Sequence, residues 1–525
     1  MAARFWVTGG NGNWSSSTNW ATSSGGISGA SAPGSADTAA FDASSGSGTA
    51  TVDSSVTVQT LTCTGFTGTL AFGTNTISLN STGTIFTGAT TMTITGTPLI
   101  ICTNSSATSR TITPTAVTEA NSISFRITGG TGGLALTAGS YRDLDFTDGT
   151  NPTGYAGALG NAVQTIYGSF KASTGMTRTA GTSGPAFAAT SGTKTITTAG
   201  VTFDCPFTFN GIGGTWQLQD ALTIGSTRPI TLTNGTLDLS SYTLTSGSFT
   251  STNSNVRTLA FGTGKIVLTG NAANIFTTAT ATNLTVTGTS PLIQATYSGS
   301  TSNRTISIGN AGEANAISID VTAGSDIVVL GSTSAAIKNI NFTGFTGSIT
   351  FGNSISIYGN FDVGGATSLG STSSPSFQAT SGTKTIRLNS LSFPVNVSFN
   401  GIGGTWACQD AFSVVGRLTL INGTLQLKDG TTSTVGSFAT SGTNQKYLQS
   451  TAPGNQATIS DASGTNSVSY LTIQDSNATG EAIWDATNTT NVSAGNNTGW
   501  IFGYIIDDTH DGDFLGKKFA EEQAR

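Results

Sequence analysis

Hydrophobic and polar residues alternate with a period of two in short runs along most of the chain. The pattern is clear in "TGTLAFGTNTISLNSTG", "RPITLTNGTLDLSSYTLTSG" and "GKIVLTGN", and Gly, Asn and Ser separate the runs. Such alternation indicates short, half-buried β-strands, and the abundant β-branched threonine favours the same conformation. The sequence therefore predicts an all-β protein.

Several blocks of sequence occur twice in the same order, which indicates a tandem duplication. "ATSGTKTI" lies at 189–196 and again at 379–386, and "FNGIGGTW" lies at 209–216 and again at 399–406. The predicted divisions are a Trp-rich N-terminal cap at 1–55, repeat modules at 56–250 and 251–440, a terminal β segment at 441–503, and a charged tail at 504–525 that contains a short helix at about 514–525.

Within each module, short strands return at close intervals with turn residues at the corners. This spacing suits a β-solenoid, in which coils of about 20 residues stack on one another. We predict an elongated β-solenoid built from two tandem modules of about 190 residues. The alternative is a string of antiparallel β-sandwiches of about 100 residues each.

The repeated octapeptide resembles a phosphate-binding loop only in its glycine content. A dinucleotide-binding loop needs the pattern G-x-G-x-x-G between a strand and a helix, and a P-loop needs G-x-x-x-x-G-K-[ST]. The octapeptide has neither the third spaced glycine nor the lysine. The glycines Gly211 and Gly401 are instead expected at tight corners, and Trp216 and Trp406 are expected to be buried beside them in equivalent settings. We interpret these four residues as markers of the structural repeat.

The amino-terminal segment contains Trp6, Trp14 and Trp20 in the pattern "FWVTGGNGNWSSSTNW", followed by "PGSADTAAFD". It resembles the opening of autotransporter-like β-solenoid passengers of bacteria and phages. The resemblance implies a cap in which large aromatic side chains cover the first coil and its unpaired edges. The tail phrase "DDTHDGD" before a charged helix resembles the tail of virion structural proteins in some tailed phages.

Composition excludes several classes of protein. Only 9% of the residues are charged, the net charge is −6, and 20 basic residues are scattered along the chain, which argues against a nucleic-acid partner. No apolar run is long enough to span a membrane, and the amino terminus has no secretory signal pattern. The four cysteines are too few for a disulfide scaffold and are expected to be buried thiols.

Candidate catalytic residues are few. A glycan hydrolase needs two carboxylates about 5–9 Å apart, and the best cluster, which has no counterpart in the second module, is Arg142, Asp143, Asp145 and Asp148. The pairs Glu119/Glu313 and Asp220/Asp410 occur in both modules, which favours a structural role such as corner hydrogen bonds. The single histidine, His510, lies in the tail and cannot form a catalytic triad. The chain is therefore predicted to be non-catalytic and to need no cofactor.

Two kinds of binding site remain open. Asp507, Asp511 and Asp513 match only the first half of a calcium loop, since position 12 is Lys518, so they are candidate metal ligands in a segment expected to be a polar hinge. Exposed tyrosines on a solenoid face stack on sugars, and the candidates are Tyr141, Tyr155 and Tyr297, which in the other interpretation merely cover strands.

These expectations combine into one functional prediction. The chain is expected to be a structural virion protein of a tailed phage, a fibre- or spike-like appendage that displays a host-facing or assembly surface. Its partners would be other virion proteins and a host surface glycan or receptor, and analogy with phage fibres favours a homotrimer. The alternatives are a capsid decoration or head-fibre protein, a tailspike polysaccharide depolymerase, and a bacterial surface adhesin.

Overall fold

A computed structural model describes residues 2–114, 118–309, 312–331 and 335–503. The chain forms two compact units, Met1–Ser373 and Ser374–Arg525. The boundary between the units falls inside the predicted second module, 251–440, and does not coincide with a module limit. The module limits therefore remain a prediction from the sequence repeat. The tail at 504–525, with its predicted helix, lies outside the described residues.

The described residues of the first unit form strands β1 to β41 and three short 3-10 helices. In chain order the strands are Ala2–Trp6, Gly12–Asn13, Trp20–Ala21, Asp37–Ala40, Thr49–Thr51, Val56–Val58, Thr60–Thr62, Thr69–Ala71, Thr76–Leu79, Gly83–Thr87, Thr93–Thr95, Leu99–Cys102, Arg110–Thr113, Ile123–Ile127, Leu134–Leu136, Gly139–Asp145, Ala158–Leu159, Gln164–Ile166, Phe170–Lys171, Thr177–Arg178, Ala186–Phe187, Thr193–Thr197, Thr202–Phe203, Phe207–Leu218, Leu222–Ile224, Pro229–Asp238, Thr243–Ser246, Ser248–Thr250, Arg257–Ala260, Lys265–Leu268, Asn274–Thr278, Leu284–Thr287, Leu292–Ala295, Asn303–Ile308, Ile317–Val321, Ile327–Leu330, Ala335–Asn341, Ser348–Phe351, Ile355–Ile357, Phe361–Asp362 and Ser368–Ser371. The helices are Ser17–Asn19, Ala43–Ser45 and Glu313–Asn315.

The second unit contains strands β42 to β55. In chain order they are Ser376–Phe377, Thr383–Arg387, Ser392–Phe393, Val397–Cys408, Ser413–Leu427, Thr432–Thr440, Lys446–Ser450, Ala457–Ser460, Thr465–Ser467, Leu471–Ile473, Ser476–Thr479, Ile483–Ala486, Val492–Ser493 and Trp500–Phe502.

Apart from β3, which pairs antiparallel with β1, the strands of both units pair in parallel with strands about one coil earlier or later in the chain, and most pair with both. Thus β12 pairs with β9 and β14, and β46 pairs with β45 and β48. The chain is a β-solenoid of about 20 turns, as the sequence predicts. The alternative of tandem β-sandwiches is wrong, because those sheets are antiparallel.

The core consists of hydrophobic side chains that stack in register from coil to coil. In the first unit, Ile77, Ile100, Phe125, Leu144 and Phe170 occupy successive rungs of one such column and are buried. Their neighbours in each strand point outward, which explains the period of two in the sequence. Burying each of these side chains stabilises the fold by about 1.5–3 kcal/mol.

The three amino-terminal tryptophans form one buried cluster around Phe41. The ring centroids of Trp6 and Trp20 lie 5.3 Å apart and those of Trp14 and Trp20 lie 5.0 Å apart. The indole nitrogen of Trp20 donates to the backbone oxygen of Trp14 at 2.7 Å. Strand β3 pairs antiparallel with β1, with Trp20 opposite Trp6, so a reversed strand lies against the first parallel strand.

The octapeptide of the first unit forms a glycine bulge within β24. Asn210 pairs with Asn234 and Thr215 pairs with Thr236, so that the four residues 211–214 face Gly235 alone. A Cβ atom on Gly211 would lie 2.4 Å from the Trp216 ring, which is buried beneath the bulge. Glycine is needed here because backbone and indole approach too closely for any side chain.

The second copy of the octapeptide, in β45, repeats this geometry. Gly423 takes the place of Gly235: its φ is +83°, and an added Cβ would lie 2.5 Å from the oxygen of Gly401. Trp406 is buried as Trp216 is. At the tips of the two bulges, Ile212 and Ile402 are 74% and 66% exposed. The corner is thus a structural unit that the duplication has kept.

Four arginine residues of the first unit are buried, although charged residues normally lie at the surface: Arg110, Arg178, Arg257 and Arg304. Arg304 makes two hydrogen bonds to the Asp326 carboxylate, at 2.7 and 2.8 Å, and both side chains are fully buried. Arg257 and Arg110 instead donate to backbone oxygens at coil corners, for example from Arg110 to Asn104 at 2.8 Å. Buried guanidinium groups therefore satisfy polar groups of the corners.

We predict that Gly423→Ala costs at least twice as much unfolding free energy as Gly430→Ala. Both glycines have positive φ, but nothing lies within 4 Å of a Cβ on Gly430. Gly430→Ala should therefore lower the unfolding free energy only by the cost of placing alanine in the left-handed conformation, about 1–2 kcal/mol. Gly423→Ala has this cost and, in addition, a clash of its Cβ with the backbone of Gly401. Urea denaturation followed by tryptophan fluorescence measures both. Equal losses would show that the close approach at the bulge does not exist.

A second prediction compares two ion pairs of the first unit. Arg304→Ala should cost about 3–5 kcal/mol, because it leaves the Asp326 carboxylate buried and uncompensated. Arg126→Ala, the matched control, should cost less than about 1 kcal/mol, because Arg126 and its partner Asp145 have side chains 33% and 19% exposed. Thermal and urea unfolding of the full chain measure both losses of stability. If both variants lose a similar, small amount of unfolding free energy, Arg304 and Asp326 do not form a buried ion pair.

Candidate functional site

A groove of about 490 Å³ lies on the outer face of the first unit. It crosses successive coils, and its lining comes from strands β9, β12, β14, β16, β19 and β22 and from nearby loop residues. Three of the four residues of the predicted catalytic cluster, Arg142, Asp143 and Asp145, line it. This volume is within the usual range of small-molecule sites, about 300–1,000 Å³.

A β-bulge in β16 presents Arg142 and Asp143 to the groove. Ile123 of β14 pairs with Tyr141, but Phe125 pairs with Leu144, so β16 contains one additional residue between the two pairs. The bulge lets two consecutive residues face outward while Tyr141 and Leu144 stay buried. Bulges commonly re-aim side chains next to functional sites.

Three charged residues stand in register on neighbouring coils along the groove. Arg126 pairs in the sheet with Asp145, and Asp145 pairs with Lys171. The Arg126 Nε donates to an Asp145 oxygen at 3.0 Å. The order of charges along this ladder is therefore positive, negative, positive.

Both groove carboxylates are fully engaged by neighbouring donors. Asp143 accepts from the Ser124 hydroxyl at 2.7 Å and from the Ser169 backbone N–H at 2.7 Å. Asp145 accepts from Arg126 and, through its other oxygen, from the backbone and hydroxyl of Thr147. Neither carboxylate has an oxygen without a hydrogen bond, so this arrangement favours structural roles over general acid–base chemistry.

Asp148, the fourth predicted residue, does not line the groove. Its carboxylate closes a local turn, where it accepts hydrogen bonds from the backbone and side chains of Asn151 and Thr150. These bonds, the Asn151 backbone bond first, hold the pKa of Asp148 well below its usual range. The cluster seen in the sequence is therefore split between the groove and a turn.

The basic side chains of the groove are less engaged than the acidic ones. Within the described residues, Arg142 and Lys171 make no hydrogen bond or ion pair through their side chains. Arg126 and Lys171 were missed from the sequence because they lie on neighbouring coils, far from Asp145 in the chain. Aligning outward positions between consecutive coils is the signal that would find them.

Of the two interpretations of the tyrosines, the structural one, in which they cover strands, fits Tyr141 and Tyr155. Tyr141 and Tyr155 are fully buried, and their hydroxyls donate to backbone oxygens of Thr137 and Gly132, at 2.8 and 2.9 Å. Burial raises the pKa of Tyr155 to about 12. Tyr297 is half-buried, and its ring centroid lies 5.3 Å from the Arg304 guanidinium carbon.

Of the acidic residues shared by the modules, Asp220 and Asp410 hold coil corners, whereas the Glu119 carboxylate accepts from the backbone and hydroxyl of Thr190. Asp220 accepts from the backbone N–H groups of Thr198 and Ala199, both at 2.7 Å. In the second unit, Asp410 accepts in the same way from Leu388 and Asn389. These bonds are the corner hydrogen bonds expected from the presence of the residue in both modules.

The four cysteines are buried free thiols, as expected. Burial raises the pKa of Cys63 and, against the effect of the nearby Arg110, that of Cys102 to about 12. Since the thiolate is the reactive form, these side chains behave as small apolar core residues.

The candidate metal ligands Asp507, Asp511 and Asp513 lie outside the described residues, as does His510. Within 2–114, 118–309, 312–331 and 335–503, no group of three or more His, Cys, Asp or Glu residues is arranged to hold a metal ion. The same residues contain no helix with the length and apolar character needed to cross a membrane.

Comparison of the chain with protein-family models, with curated proteins and with solved structures found no match in any of the three.

Proposed function

We propose that this chain is a structural protein of a tailed-phage virion, a fibre- or spike-like appendage that displays a surface and carries out no catalysis. The observation that carries the proposal is the stack of about 20 parallel coils, a fold compatible with fibre-like roles. Coil stacking fixes the interior and leaves outward positions free, so long faces of the stack are available for recognition.

The engaged carboxylates of the groove support a binding role over cleavage. A retaining or inverting glycosidase needs one carboxyl group to donate a proton and another to act as nucleophile or base. Asp143 and Asp145 are held by hydrogen bonds on both oxygens. Among the virion roles, a tail appendage and a capsid decoration or head fibre are both consistent with the fold, and the proposed partners are other virion proteins and a host glycan or receptor.

The proposal predicts that peptides of this chain are found in purified virions of the phage that encodes it. Particles banded twice by density are digested and analysed by mass spectrometry, with uninfected host extract as the control. Immunogold labelling with antibody to the first unit then distinguishes tail from capsid. Absence of the chain from particles, with its presence in the lysate, contradicts a virion role.

A further inference from the structure

The groove on the first unit has donors that the fold itself does not use. The acceptor oxygens of Asp143 and Asp145 are occupied by neighbouring donors, whereas the side chains of Arg142 and Lys171 make no hydrogen bond or ion pair within the described residues. The groove has a net positive charge on a chain whose net charge is −6, because three basic residues and two aspartates line it. The basic residues are Arg126, Arg142 and Lys171. A ligand that fits these groups is rich in acceptors and negatively charged.

The second copy of this face shows that stacking does not require cations at the positions of Arg126 and Lys171. In the repeat, Asp320 takes the place of Arg126, and it stands in register with Asn341 and then Asp362. The Asp320 carboxylate accepts from Gln294 at 3.1 Å and from Asn341 at 3.0 Å. The same bulge and register therefore form with carboxylates in place of Arg126 and Lys171, whereas the position of Arg142 keeps a basic residue, Lys338.

Hydroxyl and aliphatic groups complete the lining of the groove. Thr76, Thr195 and Ser169 offer hydroxyls, and Pro98 and Leu99 provide an apolar patch. The backbone groups of these strands are hydrogen-bonded between coils, so a peptide would find no free strand ladder to join. Cations, hydroxyls and a small apolar patch together suit a sugar chain that bears carboxylate or sulfate groups.

We infer that this groove binds an anionic carbohydrate, with Arg142 and Lys171 as the residues that contact its acidic groups. The inference deepens the proposed function, on which it rests, by naming the class of surface that the appendage recognises. Detection of the chain in virions does not depend on the groove, so failure of one idea is distinguishable from failure of the other.

Isothermal titration of the full chain tests the inference. The probes are tetragalacturonate, a sialic acid tetramer and a sulfated tetrasaccharide, with maltotetraose as the neutral control and tetraglutamate as the acidic peptide. The variants are R142A/K171A and the matched control K338A, which alters the equivalent basic position of the duplicated face. Circular dichroism checks that all variants keep their β content.

At least one anionic tetrasaccharide should bind, and R142A/K171A should bind it about 100-fold more weakly, since each lost ionic hydrogen bond costs about tenfold. K338A should bind normally, and raising the salt concentration should weaken binding. The inference is overturned if no anionic tetrasaccharide binds, if K338A loses as much affinity as the double variant, or if maltotetraose or tetraglutamate binds as tightly.

Discussion

The fold depends on parallel, in-register pairing between consecutive coils. Each strand is too short to be stable alone, and its backbone groups are satisfied only by the coil before it and the coil after it. The same register that pairs the backbones places Ile100 on Ile77 and Phe125 on Ile100, so one alignment provides both the hydrogen bonds and the packed core. A slip by one residue would turn every core side chain outward.

This constraint acts on the interior and the corners, and it leaves the outer positions free to vary. Corners need glycine where the backbone approaches itself, as at Gly235 and Gly423, or a carboxylate that accepts backbone N–H groups, as at Asp220. Outward positions between the corners tolerate a cation in one copy and a carboxylate in the other, as Arg126 and Asp320 show. A repeated scaffold can therefore differ in its recognition surface without a change in register.

Sequence patterns predicted what depends on local periodicity. The alternation gave the strands, and the repeated octapeptide predicted matching buried settings for Trp216 and Trp406. Features that depend on which coils become neighbours were not predictable in this way. The bulge in β16 breaks the alternation, so Tyr141 is buried rather than exposed. The buried ion pair of Arg304 with Asp326 also joins two coils. The sequence around each of these residues looks like that around an exposed charged residue, so it does not show that they are buried.

Cysteine cross-linking tests the register most directly. Thr236 and Thr258 are paired outward positions on adjacent strands, and adjacent strands lie about 4.8 Å apart. T236C/T258C should form a disulfide on mild oxidation, because its Cα separation falls within the usual limit of about 7 Å. In T236C/A260C the second cysteine is two residues further along the strand, about 8 Å away, and should stay reduced. Cross-linking of T236C/A260C in preference to T236C/T258C would contradict the stacking register, and with it the account of both the core and the groove.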